Sequence, residues 1–103
     1  MILAKARIIE GCHGTTRIGL SFPTGFDPDE VVRDSVRVGG DDPEEVSVKP
    51  RRGTLDDIYR EFEVSIPSRT LEGNGSQVEI TGRMRRGLPF SASVPRREKL
   101  TGH

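Results

Sequence analysis

Turn signals recur roughly every eight to twelve residues along this chain, and the segments between them alternate apolar with polar side chains. Alternation at a period of two puts successive side chains on opposite faces of an extended strand, so each segment can bury one face and wet the other. Ile2, Ala4, Ala6 and Ile8 share a face in residues 2–9, and Thr16, Ile18, Leu20 and Phe22 share one in residues 15–22. Residues 44–49 turn Val46 and Val48 inward. Ile58, Phe62, Val64 and Ile66 do the same in residues 58–66, where Arg60 is the polar exception on the apolar face. Val78 and Ile80 mark a strand over 77–84. Arg85-Arg86-Gly87 makes a hairpin turn, and residues 88–94 return. A short strand is expected over 35–38. Residues 50–57 read as a polar loop, and 67–76 as a turn region anchored by Leu71 and bent at Gly73-Asn74-Gly75. No apolar run has the period of a helix.

The 103 residues make one domain, expected over 1–94, followed by a charged flexible tail at 95–103. Only 32% of the side chains are hydrophobic and none is Trp, so the core is thin and suits two small sheets facing each other. The expected fold is all-β, an antiparallel β-sandwich of about seven strands. One short helical turn interrupts it near residues 28–33. There Asp27 can cap, Pro28 fits the first helical position, and Glu30 completes a capping box.

Two stretches resemble a known family. The first is Ile18-Gly-Leu-Ser-Phe-Pro-Thr-Gly-Phe-Asp-Pro28, then Val31, then Asp34-Ser-Val-Arg-Val-Gly39. The second is Phe62, Leu71, Gly73, Val78-Glu-Ile-Thr-Gly82, Gly87-Leu-Pro-Phe90 and Val94. Over residues 18–94 the chain resembles small immunoglobulin-like β-sandwich modules of secreted and cell-surface proteins of bacteria and archaea. The resemblance implies a non-catalytic scaffold or interaction module and names no ligand. The family often carries a calcium-type loop before the strand of Phe62. Here that segment, Lys49-Pro-Arg-Arg-Gly-Thr-Leu-Asp-Asp57, is basic, and no calcium site is carried over.

The motifs of catalysis are missing. Cys12 and His13 are adjacent, so on an extended segment they point apart, and no second Cys or nearby His completes a metal site or a catalytic pair. The single Cys excludes an internal disulfide and leaves the compartment open. No catalytic residue, metal ligand or cofactor is expected.

Charge is the feature left to interpret. The net charge is zero, but residues 1–48 hold five basic and nine acidic side chains, against eleven and seven in residues 49–103. Asp27, Asp29, Glu30 and Asp34 form an acidic turn. Its spacing, broken by Pro28 and two valines, does not match a calcium loop. Arg85, Arg86, Arg96 and Arg97 form a basic hairpin and tail. These eight residues are the candidate contact points for a protein partner or for another copy of the chain, the acidic turn of one copy meeting the basic face of the next.

The function expected is a structural or protein-interaction module within a larger assembly. It would be either part of a surface protein, hence extracellular, or a small virion or filament subunit, hence cytoplasmic or in the virion. A chain beginning at Met1 without an export segment fits the subunit setting. The alternative is nucleic-acid binding through the C-terminal arginines, although few aromatics are present to stack bases. No stretch has the length of a membrane span, so no membrane insertion is expected.

Overall fold

A computed structural model describes residues 1–12, 14–55, 57–72 and 76–96. Among these residues the chain forms eight strands: β1 (Ile2–Leu3), β2 (Lys5–Cys12), β3 (Thr15–Ser21), β4 (Arg37–Val38), β5 (Glu45–Arg52), β6 (Ile58–Pro67), β7 (Gln77–Arg83) and β8 (Pro89–Pro95). They make two four-stranded sheets, in the orders β1-β8-β7-β4 and β2-β3-β6-β5. All pairings are antiparallel except β1 with β8, where Ile2 lies beside Phe90 and Leu3 beside Ser91.

One apolar core is shared by both sheets. Ile18, Leu20, Phe62, Val64 and Ile66 come from one, and Ile2, Val38, Val78, Ile80, Phe90 and Val94 from the other. Val31, Val36, Leu71 and Met84 plug the connections. Gly82 lies opposite Phe90 on the neighbouring strand, and the Phe90 ring folds over it into the space a β-carbon would fill. From there the ring meets Phe22 edge-on, 5.1 Å between centroids.

The architecture departs from the sequence expectation at four places. Residues 2–9 do not make one strand. The chain leaves one sheet after Leu3 and joins the other at Lys5, so β1 and β2 belong to different sheets. The helical turn expected near residues 28–33 is two short 3₁₀ segments, Pro28–Glu30 and Arg33–Ser35, a third, Ser68–Leu71, forms in the expected turn region, and the second shortens the strand expected over 35–38 to Arg37–Val38. The basic segment read as a loop extends β5 through Pro50 to Arg52. Pro50 is tolerated because β5 lies at the edge of its sheet.

Ile58 is the fourth departure. It lies on the same face of β6 as Phe62 yet is 71% exposed. The β5–β6 hairpin runs past the end of the core, in a molecule of 46 × 32 × 21 Å. Periodicity reports which face a side chain takes; it does not report where the opposite sheet stops.

Candidate interaction surface

The acidic turn is built as its sequence suggests. The Asp27 carboxylate accepts from the Asp29 N–H at 2.8 Å, and the Glu30 carboxylate reaches back to the Asp27 N–H at 3.5 Å. This closes the capping box. The carboxylates beyond the cap face two different sheets. Asp29 takes a two-pronged pair from Arg60 of β6, one prong being Arg60 Nη2 to Asp29 Oδ1 at 2.9 Å. Glu30 accepts from Arg86 Nε at 3.0 Å, in the turn between β7 and β8. The Arg86 guanidinium also lies over the Phe26 ring, 5.0 Å from its centre, and donates to the Gly25 carbonyl at 3.2 Å.

Backbone bonds complete the joint. The Arg85 N–H donates to the Glu30 carbonyl at 2.7 Å and the Val32 N–H to the Arg83 carbonyl at 2.8 Å, around a bridge between Val31 and Met84. Adjacent carboxylates at Asp29 and Glu30 thus fasten the crossing connection to one sheet each. A shallow groove remains beside this joint, lined by Gly25, Phe26, Asp27, Pro28, Glu30 and Arg60.

The eight candidate residues therefore separate. Asp29, Glu30 and Arg86 are engaged within the molecule, and Asp27 is a cap. Arg85 is exposed, and neither its side chain nor that of Asp34 has a partner among the described residues. Arg96 sits past the far end of β8, roughly 20 Å along the strand from the Arg86 turn. Its Nη1 donates to the carbonyls of Thr70 and Glu72 at 3.2 and 3.1 Å, while its buried Nε has no partner. Arg97 and His13 lie outside the described residues. The basic residues described do not form one patch, and the acidic turn pairs with the basic hairpin of its own chain.

A second charged assembly, unanticipated from the sequence, covers the outer face of the β2-β3-β6-β5 sheet. Glu61 and Glu63 of β6 are buried there, at 1% and 4% exposure. Arg7 of β2 donates to Glu61 from Nε at 3.0 Å and Nη2 at 2.8 Å. Arg51 of β5 spans both carboxylates, donating to Glu61 at 3.1 Å and Glu63 at 2.6 Å, and Arg17 of β3 reaches Glu63 at 3.5 Å. The Glu61 hydrogen bonds, foremost, raise the Arg7 pKa above the ordinary guanidinium value and keep it charged. Gly19 leaves the room. A β-carbon at Gly19 would stand 2.5 Å from a Glu61 carboxylate oxygen. The signal was present in the alternation, since the positions opposite the core on β2, β3 and β6 read Arg7, Arg17, Gly19, Glu61 and Glu63.

Among the described residues, no cluster of three or more His, Cys, Asp or Glu could hold a metal ion, and no helix is long and apolar enough to cross a membrane. Comparison with known proteins gives no match among family models, curated proteins or solved structures.

Proposed function

We propose that the chain is a non-catalytic structural or protein-interaction module with an immunoglobulin-like sandwich fold, acting within a larger assembly. The strand order supports the fold reading. The order β2-β3-β6-β5 corresponds to the A-B-E-D sheet of an immunoglobulin constant-type domain, and β4-β7-β8 to its C-F-G sheet. β1 extends the second sheet as a short parallel edge.

Fold alone does not carry function. The observation that carries the interaction reading is the overshooting β5–β6 hairpin. Leu55 and Ile58 stand 89% and 71% exposed at its end, within a chain that is otherwise poor in apolar side chains. Paired apolar exposure on a projecting hairpin is a feature of contact surfaces. Both settings, a surface-protein module and a virion or filament subunit, use such a contact.

Cross-linking and mass spectrometry of the chain in its native source tests the reading. Intermolecular cross-links from residues 49–60, lost in a Leu55→Ser/Ile58→Ser variant that keeps its fold, are the expected result. Cross-links that never leave the chain would defeat it. The nucleic-acid alternative is weakened by the separation of Arg86 from Arg96 and by their internal partners. It requires salt-dependent binding of an oligonucleotide that is lost in Arg85→Ala/Arg86→Ala/Arg96→Ala/Arg97→Ala.

A further inference from the structure

β5 is the last strand of its sheet, and its free edge has a defined hydrogen-bonding pattern. The Gly53 N–H donates to the Asp57 carbonyl at 2.7 Å, one step beyond the Arg52–Ile58 pair. Antiparallel ladders alternate, so the pairs Arg51–Tyr59, Lys49–Glu61 and Ser47–Glu63 are the hydrogen-bonded ones. The N–H and C=O groups of Val46 and Val48, with the Pro50 carbonyl, then point outward from the edge. Pro50 stands where its missing N–H costs β6 nothing.

The charges on this strand are ordered. Glu44 and Glu45 precede Val46, Ser47 and Val48; Lys49, Arg51 and Arg52 follow. Such a strand is complementary to itself when paired antiparallel. We propose that β5 is a homodimerisation edge, pairing with β5 of a second copy about a two-fold axis at Val48. Glu45 then faces the partner copy's Arg51, Ser47 faces Lys49, and Val46 faces Pro50, while Glu44, whose N–H is bound to the Ser65 carbonyl of β6, lies just before the strand at the end where the partner's Arg52 stands.

Four backbone hydrogen bonds form. Two are exchanged by the Val48 residues, and two run from Val46 N–H to the partner's Pro50 carbonyl. The two four-stranded sheets become one of eight strands. Glu45 and Lys49 have no side-chain partner within the chain among the described residues. The Arg51 Nη1 makes only a long contact, 3.5 Å, to the Pro50 carbonyl. Glu45 and the Nη1 of Arg51 are the charged groups that the second copy engages.

The opposite edge disfavours an open filament. β2 and β5 run antiparallel to each other in the sheet, and the registers through β3 and β6 set Ala6 level with Val48 and Arg7 level with Ser47, so stacking copies head to tail opposes Lys5 to Lys49 and offers Arg7 no carboxylate. A register shift between Ile8 and Glu10 also breaks the β2 edge. Pairing at β5 closes on itself and stops at two copies.

This inference deepens the interaction-module reading by naming one partner, and its failure leaves that reading to the cross-linking experiment above. The test is sedimentation of the full chain from about 1 μM to about 1 mM at low salt. Amide exchange is followed at the same concentrations. A dimer is expected whose formation protects the Val46 and Val48 amides and weakens as salt rises.

Glu44 and Glu45 are exposed, so Glu44→Arg/Glu45→Arg leaves folding intact by circular dichroism. It weakens the dimer about tenfold or more, as the two opposed Glu45–Arg51 pairs become like-charge pairs and Glu44 no longer offers a negative charge near the partner's Arg52. Pro50→Ala restores two edge donors and strengthens it. A monomer throughout the range overturns the proposal. So does a dimer indifferent to Glu44→Arg/Glu45→Arg, or one that leaves the Val46 and Val48 amides exchanging as in the monomer.

Discussion

Substituting Gly19 by Ala separates the packing of the charged face from ordinary strand behaviour, because the two predict opposite signs. A glycine replaced by alanine at a compatible strand position usually stabilises by about 0.4–1 kcal/mol, since the unfolded chain loses freedom. At Gly19 the new methyl group would lie 2.5 Å from Glu61 Oε2 and 2.6 Å from its Cδ. The carboxylate must move, and it is held by three guanidinium hydrogen bonds of 2.8 to 3.1 Å. Fully buried bonds to a charge are worth about 1.5–3 kcal/mol each. Here Arg7 is 53% and Arg51 26% exposed, so water recovers much of that value. About 2–3 kcal/mol is lost from the network and up to about 1 returned by the backbone, for a net destabilisation of about 1–2 kcal/mol.

In a domain of this size that corresponds to a fall in Tm of roughly 5–15 °C, read by calorimetry or by urea unfolding with an unchanged m value. A double-mutant cycle fixes the cause. In a Glu61→Ala background the methyl group has nothing to displace, so Gly19→Ala becomes neutral or stabilising there, giving a coupling of about 2 kcal/mol. The reasoning is refuted if Gly19→Ala matches or exceeds the parent in stability. It is equally refuted if the penalty persists without the Glu61 carboxylate.

Two residues on one face of β6 should differ sharply in urea unfolding. Phe62→Ala costs about 3–5 kcal/mol through its cavity, whereas Ile58→Ala stays within about 0.5 kcal/mol. Removing the Asp27 cap by Asp27→Ala costs about 1 kcal/mol, and amide exchange should show the loss first at Asp29. Arg60→Ala and Arg86→Ala each cost no more than about 1 kcal/mol, since both guanidinium groups are half exposed, and 1 M salt should shrink each effect. Thr16 is fully buried with its hydroxyl 2.7 Å from that of Ser68, so Thr16→Val should cost about 1–2 kcal/mol in thermal unfolding.

Strand identity was legible in this chain because it depends on neighbours in sequence. The alternation at Ile18, Leu20, Phe62, Val64, Ile66, Val78 and Ile80 carries to the core residue by residue. So does the capping box at Asp27 and Glu30, which closes within one turn. Tertiary extent was not legible. Nothing in residues 2–9 records that the chain changes sheet at Ala4, and nothing near Ile58 records that the core has ended. The meeting of the acidic turn with its arginines was illegible for the same reason, whereas the charged face of Arg7, Arg17, Glu61 and Glu63 was written in the alternation. Asp29, Glu30, Arg60 and Arg86 are neighbours only once three separate elements meet. Read along the chain, the acidic turn and basic hairpin look like two surfaces awaiting partners. In the fold, Glu30 and Arg86 are each other's partner.

That spatial pairing changes which charges remain available to a second molecule. A carboxylate bound to an arginine of its own chain must give up that contact before it can recruit another, so Asp29 and Glu30 offer little net attraction. Glu45 and Lys49 of the edge strand β5, with Glu44 just before it, have no side-chain partner among the described residues. Glu45 has the sign opposed to the Arg51 that an antiparallel copy brings beside it, and the Nη1 of that Arg51 stays outside its bonds to Glu61 and Glu63. The contact surface is therefore to be sought along β5 and its projecting hairpin, and not at the acidic turn where the charge density in sequence is greatest.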